Sequence, residues 1–229
     1  MENWQAAYAF RETTKLSKFL KIAIPVQIVL SAITAASVCV TYPDAARILE
    51  KGDAIDFADM TRLHEISGLL QTTGVISLIS GIIVGISTLV WIYHKHANIA
   101  AMRVPGQAFR PGKIVVMWIV PFISAITSYF ALNELCRGSN APENIDAGGK
   151  GRNFWGFWLS FAGAYIAQLA TYFMDDFPAI EAFAASTLSM ILGIVSLYFL
   201  RRIILEIDKA QLSAFMDFSR RQREARGEA

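Results

Sequence analysis

The stretch Ile114-Val-Val-Met-Trp-Ile-Val-Pro-Phe-Ile-Ser-Ala-Ile-Thr-Ser-Tyr-Phe-Ala-Leu-Asn133 decides how this chain is organised. It carries no charge over 20 residues. A helix rising about 1.5 Å per residue needs about that length to cross a hydrocarbon core roughly 30 Å thick. Yet Pro121 stands near its centre, where it removes a backbone hydrogen bond and kinks or breaks a helix. Ser124, Thr127 and Ser128 follow, and Asn133-Glu134 closes the run with polar atoms. Non-helical backbone survives at membrane depth only where protein or trapped water satisfies it. The run therefore either turns back or crosses as a kinked helix, and that choice fixes which loops share a side.

Four other uncharged runs flank it: Ile22–Tyr42, Ile66–Tyr93, Asn153–Met174 and Ala182–Leu200. Apolar residues make up 54% of the chain and charged ones 17%, with a mean hydropathy of +0.41. An ordinary globular chain carries about 25% charge. This composition excludes a soluble enzyme, a disordered tail and a disulfide-stapled secreted module. None of the runs alternates with a period of two, so barrel strands are excluded as well. Tyr42, Trp91, Tyr93, Trp155, Trp158, Tyr172 and Tyr198 gather near run ends, as interfacial aromatics do. Ile22–Tyr42 is expected to be retained rather than cleaved as a leader, because a long polar segment precedes it and Pro25 stands at its start.

Lys and Arg accumulate in cytoplasmic loops. If all five runs cross with the N-terminus inside, 8 basic residues fall inside and 13 outside. If 114–133 enters and leaves on one face, the division becomes 18 inside and 3 outside. The expected fold is thus an all-α membrane protein, a bundle of four transmembrane helices plus a re-entrant or interfacial helical segment. The alternative is five transmembrane helices. Residues 1–204 form a single bundle domain with spans at about 22–42, 66–93, 153–174 and 182–200, and 205–229 form a cytoplasmic amphipathic tail.

No Asp, Glu, Lys, Arg or His lies inside any run. A charge at the bilayer centre costs about 2.5–3.5 kcal/mol even on lenient scales, so a proton-coupled carrier is disfavoured. Gln27, Gln71 and Gln168 are the deepest polar side chains and read as bridges between helices. Ser77, Gly81 and Gly85 form a small-residue ridge suited to close helix packing, within the chain or in a homodimer. His94 and His96, two residues apart, face different ways on a helix and read as solvated interfacial imidazoles. Cys39 and Cys136 read as free, buried thiols, and Asp56-Phe-Ala-Asp59 as a helix cap opening the second span. Catalytic, cofactor and metal sites are expected to be none: no HExxH, P-loop, GxSxG or CxxC pattern occurs.

Several motifs in 89–139 carry a family resemblance: Trp91-Ile-Tyr93-His94-Lys95-His96-Ala-Asn98, Phe109-Arg-Pro111-Gly112, Met117-Trp118-Ile-Val-Pro121 and Leu132-Asn-Glu134-Leu. In that order they resemble the central block of a bacterial membrane family, domain of unknown function 4328. Trp155, Trp158 and Arg201-Arg202 extend the similarity over most of residues 15–212. The resemblance implies an architecture and no reaction, and it singles out Trp91, Asn98, Pro111, Gly112, Trp118 and Pro121. Pro111-Gly112 suits a turn returning the chain to the membrane, and Asn98 a cap on the returning hairpin.

The expected protein is a small scaffold or accessory protein of the bacterial inner membrane, not an enzyme, with both termini cytoplasmic. Its partners would be the bilayer, anionic lipid at the basic face, and a membrane protein or second copy, with no nucleic acid. Ile204, Ile207, Phe215 and Phe218 beside Arg220, Arg221 and Arg223 suit an interfacial tail helix. A channel or small-solute transporter using the Pro121 segment is the alternative.

Overall fold

Among the described residues, three helices are long and apolar enough to cross a membrane. They are Thr14–Leu49, Phe57–Ala101 and Glu181–Arg221, with mean hydropathies of 2.0, 2.4 and 1.9. The computed structural model describes residues 8–119, 123–149, 151, 153–172 and 179–226. Pro121 lies outside the described residues, as do Lys150 and Arg152. The described residues form six α-helices and two short 3-10 turns, with no strand. The helices are α1 (Thr14–Leu49), α2 (Phe57–Ala101), α3 (Pro111–Ile119), α4 (Ile123–Asn140), α5 (Phe154–Tyr172) and α6 (Ala179–Ala225).

Local chemistry sets the starts. Asp56 accepts the Asp59 amide at 2.8 Å and the Asp59 carboxylate accepts the Asp56 amide at 3.2 Å. This reciprocal cap satisfies two of the orphan donors at a helix start. The helix it opens runs unbroken through the whole apolar run, as the Asp56-Phe-Ala-Asp59 pattern implies. Pro111 is the first residue of α3, where a missing N–H costs nothing. Gly112 follows with open space around it, so the turn expected of Pro111-Gly112 is instead a helix start. α5 is rich in Trp, Tyr and Phe and shorter than the three spans above.

α6 is the central element, packing on α1, α4 and α5, while α1 also packs on α2. Gly156 of α5 lets α6 approach closely: a Cβ there would lie 2.5 Å from the Phe199 ring. Gln27 bridges α1 to α2 by donating to the Ser77 carbonyl at 3.2 Å, and Ser189 of α6 donates to Gln168 of α5 at 3.3 Å. Gln71 is exposed. At the far end, Tyr42 stacks on Phe183 at 3.8 Å, and Arg62 pairs with Asp44 and Glu65.

Burial is uneven along the helices, and this is the main architectural fact. In the most apolar windows of the three long helices only 11%, 22% and 17% of residues are buried. Val40, Ile22 and Ile166 are mostly exposed, as side chains facing lipid would be. The tight core lies instead at the other end of the bundle, where the apolar runs end and the polar flanks begin. There Trp91, Ile92, Ile99, Ile114, Leu132, Leu135, Phe154, Ile203 and Ile204 are almost fully buried. Each such side chain stabilises by about 1.5–3 kcal/mol. We call this end the head.

Lys95 through Ala100 are buried on every side of α2. The reason is that α1's N-terminal turns, α4, α6 and the loop after α2 all pack there. Ile145 donates its amide to the Pro105 carbonyl, and the Arg137 guanidinium holds the Asp146 and Gly148 carbonyls. The connections on both sides of the α3–α4 segment thus meet in the head. α6 continues through 205–225 as one helix, with Ile207, Gln211 and Ala214 buried in that core.

Candidate functional site

The head encloses a charge network, with α6 supplying its centre. Asp208 Oδ1 accepts from Ser17 Oγ at 2.9 Å, Trp91 Nε1 at 3.2 Å and Lys95 Nζ at 2.9 Å. Its Oδ2 pairs with Lys21 Nζ at 3.3 Å. The Lys95 side chain is only 6% exposed. Burial pulls its ammonium pKa down from the usual lysine value, and Asp208 pulls it back up. Lys95 also lies 5.8 Å from the centre of the Trp91 ring.

A neutral layer lies beside it. Asn98 Oδ1 accepts the Arg11 amide at 2.9 Å, and its Nδ2 donates to the Arg11 carbonyl at 3.0 Å and to Gln211 Oε1 at 3.3 Å. Gln211 Nε2 donates in turn to the Lys95 carbonyl and to Ser139 Oγ, both at 3.0 Å. Asn98 therefore tethers the segment before α1, rather than the returning hairpin. It can do so because it matches both backbone groups of one residue, as a strand partner would.

The third part ties the hairpin ends together. Glu134 accepts the amides of Ala108 at 2.8 Å and Phe109 at 3.3 Å. Its carboxyl pKa is raised to about 6, because burial outweighs those two amides. His96 is wholly buried, not solvated as its place beside charged neighbours implied. Its Nε2 meets the Ala131 carbonyl at 3.1 Å and its Nδ1 lies 3.7 Å from Glu134. A carbonyl only accepts, so Nε2 carries the proton of the neutral ring. Burial holds the His96 pKa down to about 3.

Beside the network opens a cavity of about 350 Å³ lined by Arg11, Lys18, Lys21, Lys95 and Lys209 against Glu12 and Asp208. Asp208 pairs with Lys21 and Lys95. Arg11, Lys18 and Lys209 have no acidic partner among the described residues. The arrangement can attract an anion. Among the described residues no three His, Cys, Asp or Glu gather to hold a metal.

The residues singled out in the sequence do not converge on one site. Trp91 and Asn98 belong to the network, whereas Pro111 and Gly112 open α3. Trp118 faces a separate cavity inside the bundle, and Pro121 lies outside the described residues. Ser77 and Gly81 sit against Gln27 of α1, while Gly85 has nothing within 4 Å of a Cβ position. Cys39 is exposed and Cys136 buried. Sequence reasoning missed Asp208, Lys95, Gln211 and Glu134. One signal was available: Ile204, Asp208, Gln211 and Phe215 recur at helical spacing, which puts an acid and an amide on an apolar stripe. That stripe is covered in the head, where Phe215 stacks on Phe10 at 3.8 Å.

The family described as Domain of unknown function (DUF4328) has a sequence profile that matches residues 56–209, well over half of the chain. The chain belongs to this family. The DUF4328 match begins at Asp56, the cap of α2, and ends one residue past Asp208. It takes in Trp91, Lys95, Asn98, Glu134 and Asp208, but not Ser17, Lys21 or Arg11, so α1 completes the network from outside the matched block. The match starts later than the similarity expected from about residue 15. No curated protein and no solved structure matches the chain.

Proposed function

We propose that this chain is a non-enzymatic accessory or scaffold protein of the bacterial inner membrane whose head binds the phosphate of an anionic lipid. One observation carries the reading: the basic cavity, with three cations lacking an acidic partner among the described residues. Its depth fits. The apolar run of α1 starts at Ile22, directly after Lys21, and that of α6 ends at Leu200, about two and a half turns before Lys209. The cavity thus lies just beyond the hydrocarbon, at phosphate level. Lys18 and Lys21 can extend their apolar stems along the helix while the ammonium stays in the polar zone.

In this reading α1, α2, α5 and α6 cross, the α3–α4 segment is re-entrant, and both termini are cytoplasmic. The meeting of Glu134 with the Ala108 and Phe109 amides supports it, since the two ends of the segment then share a face. The 18-to-3 division of basic residues points the same way. Reporter fusions after Asp146 and Phe177 test the topology: cytoplasmic signal at the first and exported signal at the second are expected.

Lipid binding is tested by native mass spectrometry of the full chain with phosphatidylglycerol, with phosphatidylcholine and with inorganic phosphate. The expected result is retained phosphatidylglycerol that is lost in the Lys18→Ala, Lys209→Ala double variant. Equal retention of both lipids by both proteins would refute it, and adducts of inorganic phosphate alone would move the ligand from lipid to a free anion. A channel or small-solute transporter is the second reading, favoured by a cleft between the α1/α2 and α5/α6 pairs. Solute flux in vesicles tests that.

A further inference from the structure

The cleft inside the bundle is lined by two adjoining cavities that share Gln27, Gly81, Phe161, Ser196 and Leu197. They measure about 780 and 390 Å³, the size of small-molecule sites. No charged side chain lines either one. Apolar side chains of α2, α5 and α6 make most of the wall, and Trp118 of α3 lies beside Phe161, with ring centres 6.3 Å apart.

Three buried polar atoms at this wall have no hydrogen-bond partner among the described residues: Gln27 Oε1, Thr88 Oγ1 and Trp118 Nε1. Gln27 and Thr88 are themselves more than nine-tenths buried. The Gln27 amide cannot be turned the other way. Its nitrogen lies 3.2 Å from the Ser77 carbonyl, which only accepts, so the nitrogen is fixed there and the oxygen is left over. The three atoms therefore ask for different things. Gln27 needs a donor, Trp118 needs an acceptor, and Thr88 can use either. An unmatched polar group away from water costs about 1–3 kcal/mol, and surrounding hydrocarbon offers no partner.

We propose that this cleft binds a neutral, largely apolar molecule bearing a hydroxyl group, held by Gln27, Thr88 and Trp118. A hydroxyl donates and accepts at once, so it can meet any one of the three demands. A ketone or quinone would serve Trp118 and Thr88 but leave Gln27 Oε1 unmatched. A hydrocarbon would serve none, and an ion would find no countercharge. The site is separate from the basic cavity, so failure of one reading leaves the other untouched.

The test is photolabelling of the full chain in lipid nanodiscs by two diazirine probes of equal length, one a primary alcohol and the other the matching alkane. The alcohol should label peptides spanning 81–89 and 157–161, in competition with unlabelled 1-dodecanol, and the alkane should label only lipid-facing surfaces. Thr88→Val, which keeps the side-chain shape, should weaken alcohol labelling about 3- to 10-fold, the worth of one hydrogen bond. Gln27→Leu should weaken it further, with folding checked by unchanged helical circular dichroism, since this variant also loses the bridge to Ser77. If water alone fills the cleft, alcohol and alkane label alike, and the proposal is overturned. Alcohol labelling untouched by Thr88→Val overturns it equally.

Discussion

Removing Asp208 while keeping Lys95 gives the sharpest test of the head. In Asp208→Ala the ammonium of Lys95 keeps its place, 6% exposed, and loses its only countercharge among the described residues. Breaking a buried pair in this way typically costs about 3–5 kcal/mol. Here the loss has a ceiling, because lysine can shed its proton instead. Deprotonating a group that ordinarily titrates at 10.5 costs about 1.36 kcal/mol per pH unit, hence about 4 kcal/mol at pH 7.5. Trp91 Nε1 and Ser17 Oγ keep each other as partners at 3.2 Å, so they add little. The expected penalty is about 3–4 kcal/mol at pH 7.5. It should shrink as pH rises toward 10.5, because the unfolded lysine then also approaches neutrality. Lys95→Met in the same background should recover most of the loss. The measurement is denaturant or thermal unfolding of detergent-purified protein at pH 7.5 and 9.5, followed by near-ultraviolet circular dichroism of the tryptophans. A penalty below about 1 kcal/mol, or one that does not change with pH, would refute the burial argument.

Three further outcomes are expected. His96 has a folded pKa lowered to about 3 from 6.5, so its contribution is fully present above 6.5 and drains away as pH falls toward 3; acid melting curves of His96→Gln should be flatter than those of the native chain. Glu134 runs oppositely, its pKa being raised to about 6 from 4.5, so its contribution is present below 4.5 and is lost as pH rises through 6. Glu134→Gln should therefore raise the melting temperature at pH 7.5 relative to pH 4.5, whereas Glu134→Ala should lower it by orphaning the Ala108 and Phe109 amides, about 1–3 kcal/mol. Gly156→Ala drives a methyl into the Phe199 ring and should cost about 1–3 kcal/mol, which Phe199→Leu should partly restore.

The helical class, the long apolar segments and the start of α2 were legible in the sequence, because length, charge and capping are local properties. The head was not legible. Charge counting treats polar residues flanking a span as solvated, so Lys95, His96 and Asp208 read as flank and tail. Their burial depends on partners that periodicity does not connect: Ser17 meets Asp208 across 191 residues and Lys95 meets Gln211 across 116. Asn98 was noticed, but its partner was not, since nothing near Arg11 announces that its backbone is unsatisfied. The small-residue pattern at Ser77 and Gly81 was visible, yet only the geometry shows Gln27 filling the space they leave.

One feature of α6 has mechanical weight. Its 47 residues form an uninterrupted rod about 70 Å long, touching Tyr42 near one end through Phe183 and gripping Lys95 just past its midpoint through Asp208. A rod of that kind does not absorb tilt within itself. A rotation of about 10° pivoting at Phe183 sweeps Asp208, about 37 Å along the rod, by about 6 Å, several times the tolerance of an ion pair. Thinning or thickening of the surrounding bilayer is thereby converted into leverage on the clasp that Asp208 makes with α1 and α2.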